Sequence, residues 1–277
     1  MQISDDMVNK SINFILENLD KKISVEDVAS HCNVSKYHFN RYFKARTGES
    51  VYSFIKRQKL DKSAFKLTTE KGRNITDIGL DYGYNASNFS TVFKKQHSIP
   101  PNQYKKHKSE LDLKHPFYTT EVKYKDFDFY NSRIEVRELE ELTVLFKRYM
   151  GSYRDMSVHW HEYSETYRDL INEKTLFIET TYDDPNITDR DRCIYDLSIT
   201  VDKSHQFPNI KTLRGGLFAL YRFRGSVEEI FNAYKGIFNI WLPESPYELD
   251  NRISYDIYRQ ADCENNFFEM DICIPVK

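Results

Sequence analysis

The strongest constraint on the fold is a helical pattern that occurs twice within the first hundred residues. In the first copy, Ser24 can cap a short helix, and Asn33-Val34 supply a turn. A second helix then follows Ser35 and ends near Gly48. A short helix, a tight turn and a helix with a polar outer face together predict a helix–turn–helix unit.

The second copy lies after residue 73 and repeats the same order of elements. Thr76 can cap a short helix, residues 82–84 form the turn, and a longer helix runs roughly over residues 86–96. Residues 39–44 of the first copy correspond to residues 89–94 of the second. The repetition predicts an all-α first domain with a double helix–turn–helix.

The longer helix of the first copy has a face suited to the DNA major groove. Its apolar residues Phe39 and Phe43 lie on one side, and its polar residues lie on another. Arginine can bind guanine, asparagine can bind adenine, a tyrosine ring can pack on thymine methyls, and lysines can contact phosphate. An ordinary amphipathic surface helix would share this pattern, and the repetition favours DNA. The candidate contacts are Lys36, Tyr37, Asn40, Arg41 and Lys44.

The corresponding helix of the second copy has weaker reading chemistry. It carries no arginine, and serine and threonine discriminate poorly between bases. We therefore expect it to position the protein mainly through phosphate, with Asn88 contributing most of its base readout. The candidate contacts are Ser87, Asn88, Thr91, Lys94 and Lys95.

A third helix joins the two copies and sets their separation. Ser50 can cap it, and its apolar pattern continues to about Lys66. Such a helix would be roughly 25 Å long at ~1.5 Å per residue. It could hold two recognition helices about one DNA turn, ~34 Å, apart.

Charge divides the chain into two parts with different expected partners. Residues 1–108 hold 19 basic and 11 acidic side chains, whereas residues 109–277 hold 21 and 31, so the parts carry +8 and −10. The basic part suits a polyanion and the acidic part does not. We predict a DNA-binding domain over residues 1–108, a linker over residues 109–119 and a second domain over residues 120–277.

The second domain has an α+β pattern. Strands alternate with helices from residue 133 onward, and strands that end in Gly151-Ser152 and Gly225-Ser226 are each followed by a helix. The pattern predicts a pseudo-twofold domain made of two strand–helix–strand–strand units, with a cleft between its halves.

A set of motif residues runs through both copies. They include Val34-Ser35, Phe39, Arg41, Phe43-Lys44, Gly48, Ile55, Arg57, Leu60, Asp77-Ile78, Gly83, Phe89-Ser90, Phe93-Lys94, Pro101 and Tyr104. With these residues, the first part of the chain resembles the AraC/XylS family of bacterial transcription regulators over about residues 8–106. This resemblance implies binding to double-stranded promoter DNA, and it implies that Arg57 and Asp77 form a structural ion pair between the two copies. We also expect RNA polymerase as a partner.

The second part carries motifs at Gly225-Ser226, residues 241–243, residues 255–258 and residues 274–277. With these motifs it resembles the gyrase-inhibitor-like effector-binding domain over about residues 120–277. Multidrug sensors of this family place an acidic side chain, usually glutamate, in the cleft, and Asp256 occupies that position. The resemblance implies a small amphipathic, possibly cationic, effector. The candidate ligand contacts are Tyr149, Tyr153, Trp160, Trp241, Tyr255, Asp256 and Tyr258.

Two other functions remain open for the second domain. It could hydrolyse a reactive small molecule, as some isolated domains of similar sequence do, or it could bind a protein through its acidic surface. The sequence shows no HExxH, GxSxG or phosphate-binding glycine loop, so we predict no catalytic set, metal or cofactor. The four cysteines are not spaced for zinc. With no signal peptide visible, we expect a cytoplasmic protein.

Overall fold

The computed structural model describes residues 2–3, 6–70, 72–106, 116–118 and 121–277. The chain divides into two compact units, Met1–Leu111 and Asp112–Lys277. Most of the predicted linker at residues 109–119 lies outside the described residues.

Within the described residues, the first unit consists of a two-residue strand and seven helices. The elements are β1 (Gln2–Ile3), α1 (Asp6–Glu17), α2 (Val25–His31), α3 (Lys36–Thr47), α4 (Val51–Thr69), α5 (Ile75–Asp81), α6 (Ala86–His97) and α7 (Pro101–Lys106).

The two helix–turn–helix copies have the same length. Helices α2 and α5 begin at residues 25 and 75, and α3 and α6 begin at residues 36 and 86, so each element is displaced by 50 residues. The turns share one hydrogen bond, in which Val34 N donates to Ala29 O and Tyr84 N donates to Gly79 O, each over 3.0 Å. The predicted duplication is therefore present in the backbone as well as in the sequence.

The predicted caps are only partly correct. Ser24 forms a capping box with Asp27, as predicted. Ser35 occupies the N-cap position of α3, but its side chain makes no capping hydrogen bond. Thr76 was the wrong residue for α5, because Asn74 accepts a hydrogen bond from Thr76 N and the helix begins two residues earlier than predicted.

Each recognition helix packs against the helix that follows it through an equivalent aromatic contact, α3 against α4 and α6 against α7. The rings of Phe43 and Phe54 pack edge to face with centroids 5.4 Å apart. In the second copy, Phe93 and Tyr104 repeat this contact at the same centroid distance. These rings hold each recognition helix by its buried side, so its polar side stays outward.

The expected ion pair between Arg57 and Asp77 is wrong. Asp77 is exposed, and Arg57 lies buried beside Glu49, which its Nη2 contacts at 2.7 Å. Lys59 links the copies instead, because its Nζ donates to Lys21 O at 2.7 Å and to Tyr82 O at 3.2 Å. An ammonium group at carbonyls near helix ends is favoured by hydrogen bonding and by the helix dipole.

The second unit combines an antiparallel sheet with short helices. Strand Ile210–Leu213 was not predicted, and the predicted helix over residues 227–241 continues beyond Gly236 as a π-helical turn, Ile237–Trp241. The elements are α8 (Phe127–Asn131), β2 (Ile134–Leu139), β3 (Leu142–Met150), α9 (Met156–Thr166), β4 (Phe177–Thr181), β5 (Ile194–Thr200), β6 (Ile210–Leu213), β7 (Gly216–Gly225), α10 (Val227–Gly236), α11 (Leu242–Glu244), β8 (Tyr255–Asp262) and β9 (Phe267–Pro275), with 3₁₀ turns at Tyr153–Asp155, Arg168–Leu170 and Arg190–Arg192.

The strands of this unit are ordered β3-β5-β4-β8-β9-β7-β2, and β6 also pairs with β3. On one face, residues around α9 and residues around α10 form two separate apolar clusters. On the other face, a third cluster contains Val144, Phe218 and Tyr255. The central pairing of β4 with β8 therefore lies where the two halves of the sheet meet.

Each half of the sheet contains an arginine directly opposite an aspartate on the neighbouring strand. In the first half, Arg148 and Asp196 are both fully buried and form two hydrogen bonds of 2.7 Å. Lys211 and Tyr182 also contact this carboxylate, at 2.5 and 2.7 Å. In the second half, Arg222 faces Asp271, but its side chain is 50% exposed. Both aspartates are therefore buried, but their arginine partners differ sharply in exposure.

Candidate DNA-binding surface and ligand site

Helix α3 presents most of its predicted contacts to solvent. Arg41 and Lys44 are exposed, and Tyr37 is 81% exposed, an unusual state for so large an aromatic ring. Lys36 is also exposed and forms a surface ion pair with Glu26 of α2. These side chains form a continuous polar and aromatic surface on the outer side of the helix–turn–helix.

Asn40 does not share this outward surface. It is half-buried, and its Oδ1 accepts a hydrogen bond from Val51 N at the start of α4, over 3.1 Å. The expected outward position was therefore wrong, because the amide satisfies an otherwise unpaired helix N-terminal donor. His38 was not among the predicted contacts, although it is exposed and occupies the position in the first copy that Asn88 occupies in the second. The 50-residue repeat could have identified it.

Helix α6 exposes every residue predicted for it, from Ser87 and Asn88 through Thr91 to Lys94 and Lys95. Two of its hydroxyls are used locally, since Ser87 Oγ contacts Asn85 Oδ1 and Thr91 Oγ1 donates to Ser87 O. Its only cationic predicted contacts are the two lysines, which lie towards the end of the helix. This surface is therefore less specific chemically than that of α3.

Two carboxylates meet at the centre of the sheet in the second unit. Glu179 on β4 is the direct cross-strand partner of Asp256 on β8, and their exposures are 6% and 2%. Side chains at directly opposed positions share a face and lie close together. In the described part of the chain, neither carboxylate has an ion-pair partner. Glu179 was not among the predicted contacts, although it directly follows Phe177-Ile178, which were predicted to form a strand, and an acid at such a position was the available signal.

Neutral donors from three elements hold one oxygen of each carboxylate. Tyr234 of α10 donates from its hydroxyl to Asp256 Oδ1 over 2.6 Å. Tyr258 donates to Glu179 Oε2 over 3.0 Å, and Trp160 Nε1 of α9 reaches the same oxygen at 3.5 Å. The two helices therefore contribute to one acidic site. Tyr234 was not among the predicted residues.

Burial controls the electrostatics of this pair. Loss of water raises the pKa of Glu179 to about 7, and the Tyr258 and Trp160 hydrogen bonds offset this only in part. Burial and the neighbouring Glu179 charge raise the pKa of Asp256 well above its usual range. Two acids at one buried position cannot readily both be charged.

The predicted ligand-binding aromatics fall into two groups. Trp160 and Tyr258 pack edge to face beside the acids, with centroids 5.9 Å apart. Tyr149 and Tyr153 lie in the neighbouring cluster around α9, where both rings pack against Tyr195. Tyr149 Oη is buried and has no hydrogen-bond partner among the described residues.

Tyr255 and Trp241 do not belong to this site. Tyr255 precedes Asp256 on β8 and therefore points to the opposite face, where it packs against Phe218. Trp241 lies in the apolar cluster beneath α10, and its Nε1 donates to Asn131 Oδ1 over 3.1 Å. Both were expected to line the cleft, and both instead serve the core.

Across the described ranges, no helix combines the length and apolar character needed to cross a bilayer. Within the same ranges, no group of three or more metal-binding side chains is found.

The fold and these two surfaces define a class of transcription regulator that joins a helix–turn–helix DNA-binding region to a small-molecule-binding domain. Residues 132–277 match the GyrI-like small molecule binding domain, and residues 28–107 match a helix-turn-helix domain. The chain belongs to the AraC-type regulators that carry a GyrI-like domain.

Curated relatives support this assignment. Over 104 residues the chain is 33% identical to the Transposon Tn10 TetD protein of Escherichia coli, covering 37% of this chain and 75% of that protein. It is 30% identical to the multiple antibiotic resistance protein MarA of Salmonella typhimurium, covering 35% and 77%.

Other relatives match over a smaller share of their length. The transcriptional regulator Rob of Salmonella typhimurium is 37% identical over 89 residues, which cover 32% of this chain and 30% of Rob. YbfP of Bacillus subtilis, an HTH-type transcriptional regulator, is 37% identical over 99 residues, which cover 35% of this chain and 33% of YbfP. The matched segment thus spans about a third of these two relatives.

Two solved structures match part of the chain. The C-terminal domain of AraT from Geobacillus stearothermophilus is 28% identical, covers 37% of this chain and 85% of that domain, and has a TM-score of 0.35. The EcmrR C-terminal domain is 13% identical, covers 52% of this chain and 96% of that domain, and has a TM-score of 0.44.

Proposed function

We propose that this regulator reads a specific promoter sequence through α3, uses α6 mainly for positioning, and responds to a small amphipathic cation bound beside Glu179 and Asp256. The observation that supports the ligand proposal best is the buried acidic pair, which has no cationic partner in the described residues. The observation that supports DNA reading is the exposed Tyr37 and Arg41 surface.

The separation of the two recognition helices fits a single stretch of duplex. Helix α4 contains 19 residues, which correspond to roughly 28 Å at ~1.5 Å per residue. One turn of B-DNA is about 34 Å. Because α3 and α6 pack at different positions along α4, one chain can place both in successive major-groove segments.

We expect Arg41→Ala to weaken specific DNA binding by about 1–3 kcal/mol, or roughly 5- to 150-fold. The loss should be largest for duplexes that keep the guanine bound by this side chain. The affinity would be measured by fluorescence anisotropy, with a duplex selected by the wild-type protein from a random pool. Because Arg41 is exposed, the melting temperature should stay unchanged.

A matched control for this substitution is Arg168→Ala. It removes one positive charge from an exposed arginine of the second unit, whose partner is Glu165. Equal losses for the two variants would assign the effect to net charge and would contradict base reading by Arg41. Asn40→Ala is a poorer test, because it also removes the bond to Val51 N.

The second unit is proposed to be a pseudo-twofold domain, on the basis of its strand register. Adding 74 to each residue number of β3 gives the corresponding residue of β7. The same correspondence needs 75 residues from β5 to β9 and 77 residues from β4 to β8. These shifts superimpose the Arg148–Asp196 pair on Arg222–Asp271. They also exchange Glu179 with Asp256, which places the acidic pair on the proposed axis.

We expect lipophilic cations to raise the melting temperature of the second unit. A ligand at about 100 times its Kd adds about 2.7 kcal/mol, which corresponds to a rise on the order of 5 °C. Tryptophan fluorescence of the full chain would report it, because both tryptophans, Trp160 and Trp241, lie in this unit. Neutral analogues should give a smaller rise, and Asp256→Asn should abolish the preference for cations. A rise that is equal for cations and anions would contradict the proposed charge selectivity.

A further inference from the structure

We propose that the Glu179–Asp256 pair selects cations that carry at least two N–H donors, and that such a cation replaces a proton that the pair shares in the empty site. This inference rests on the proposed function of the second unit as a cation sensor. It adds the chemical class of the ligand and a linkage between ligand binding and pH.

The geometry leaves one oxygen of each carboxylate available for a ligand. Tyr234 occupies Asp256 Oδ1, whereas Tyr258 and Trp160 occupy Glu179 Oε2. No side chain or backbone donor of the described residues binds Asp256 Oδ2 or Glu179 Oε1. Because the two residues are directly opposed on neighbouring strands, their side chains share one face of the sheet, where both oxygens can accept from one ligand. An amidinium or guanidinium group presents two parallel N–H donors to such an arrangement.

Among the residues that the structure describes, none around the pair supplies a cation that could neutralise it. Apart from Trp160, the groups that face or neighbour it are phenols and a thiol, and burial raises the pKa of each. All are neutral near pH 7, so the acids must retain a proton to avoid two adjacent buried charges. These groups are Tyr153 and Tyr195 from the first half, Tyr234 of α10, Tyr258 of β8 and Cys273 of β9.

A donor-bearing cation meets both requirements of the pair at once. Its charge makes the shared proton unnecessary, and its N–H groups give the available oxygens hydrogen bonds in a site with little water. A quaternary ammonium supplies the charge but no donor, so both oxygens would be desolvated without a partner. We therefore expect at least a tenfold difference in Kd between matched cations of the two kinds.

The test uses two monocations of the same apolar framework. Biphenyl-4-carboxamidinium carries N–H donors, and biphenyl-4-yl-trimethylammonium carries none. Titration calorimetry of the full chain would compare their Kd values between pH 6 and pH 7.5. Repeating the titrations in phosphate and in Tris buffer counts the protons released, because the two buffers have different ionisation enthalpies.

The expected result is that the amidinium binds at least tenfold more tightly than the ammonium. Because the complex holds fewer protons than the empty site, binding should strengthen as pH rises, by up to tenfold per pH unit for each proton released. Glu179→Gln should remove both the preference and most of the proton release. Glu173→Gln, an exposed substitution in the same unit, should change neither.

The wild-type titrations decide the inference even if a variant fails to fold. Equal affinity for the two cations without proton release would overturn this inference and leave cation sensing intact. Absence of binding by either cation, together with no thermal shift from any lipophilic cation, would overturn the sensor proposal as well.

Discussion

Asp196→Asn is expected to lower the free energy of unfolding of the second unit by about 3–5 kcal/mol. Arg148 is fully buried, and the Lys211 side chain is only 11% exposed, so both would keep their charges beside a neutral amide. Burial alone would raise the pKa of Asp196, but the charges of Arg148 and Lys211 outweigh it and lower the pKa to about 2. Urea unfolding followed by tryptophan fluorescence would measure the change.

The matched control is Asp271→Asn, at the related position in the other half of the sheet. Its partners Arg222 and Arg259 have side chains that are 50% and 45% exposed, so they can turn into water when the carboxylate is lost. We expect a cost of about 1 kcal/mol or less. A similar cost for the two substitutions would contradict the idea that burial of the cationic partners, rather than pairing itself, determines the importance of these aspartates.

Glu179→Gln is expected to stabilise the protein by about 2–4 kcal/mol at pH 8 and to change little near pH 5. The folded protein holds the Glu179 proton more tightly than the unfolded chain, because burial raises the pKa of this carboxyl. Stability should therefore be complete below the unfolded pKa of about 4.3 and should fall as pH rises towards the folded pKa near 7. Glutamine cannot ionise, so the variant should lack this part of the pH dependence.

Tryptophan-monitored urea unfolding at pH 5, 6, 7 and 8 would test this prediction. The exposed substitution Glu173→Gln should follow the wild-type curve at every pH within about 0.5 kcal/mol. A wild-type protein that gains stability between pH 5 and pH 8, relative to Glu179→Gln, would show that the site stabilises the charged carboxylate and would contradict a retained proton.

The two acidic sites differ in their counter-charges, and this difference lets one sheet serve both stability and binding. On one face, Asp196 is compensated by cations from the chain itself. On the other face, Glu179 and Asp256 are held only by neutral donors. The second arrangement costs folding energy, which a bound cation can recover as binding energy. A sensor benefits from this design because its empty and occupied states then differ in stability.

Local signals in the sequence were sufficient for the helical unit. The serine caps, the turn residues and the apolar spacing act over a few residues, so they predicted both helix–turn–helix copies and the exposed contacts Tyr37 and Arg41. The same reasoning failed at Asn40, and the ion pair that the resemblance implied for Arg57 is absent, because in both cases the partner comes from outside the local pattern. Each side chain bonds a group at the start of α4 or just before it, and helical spacing carries no information about such contacts.

The sequence by itself determined the two-part organisation and the duplicated helical unit, and the resemblance of its second part to a known family identified Asp256. Only the tertiary structure brought Glu179 to its side, because the register of β4 against β8 joins residues 77 positions apart. It also decided which aromatics belong to the site. Strand residues alternate between faces, so the orientation of the sheet sends Tyr255 to the core and Tyr258 to the acids.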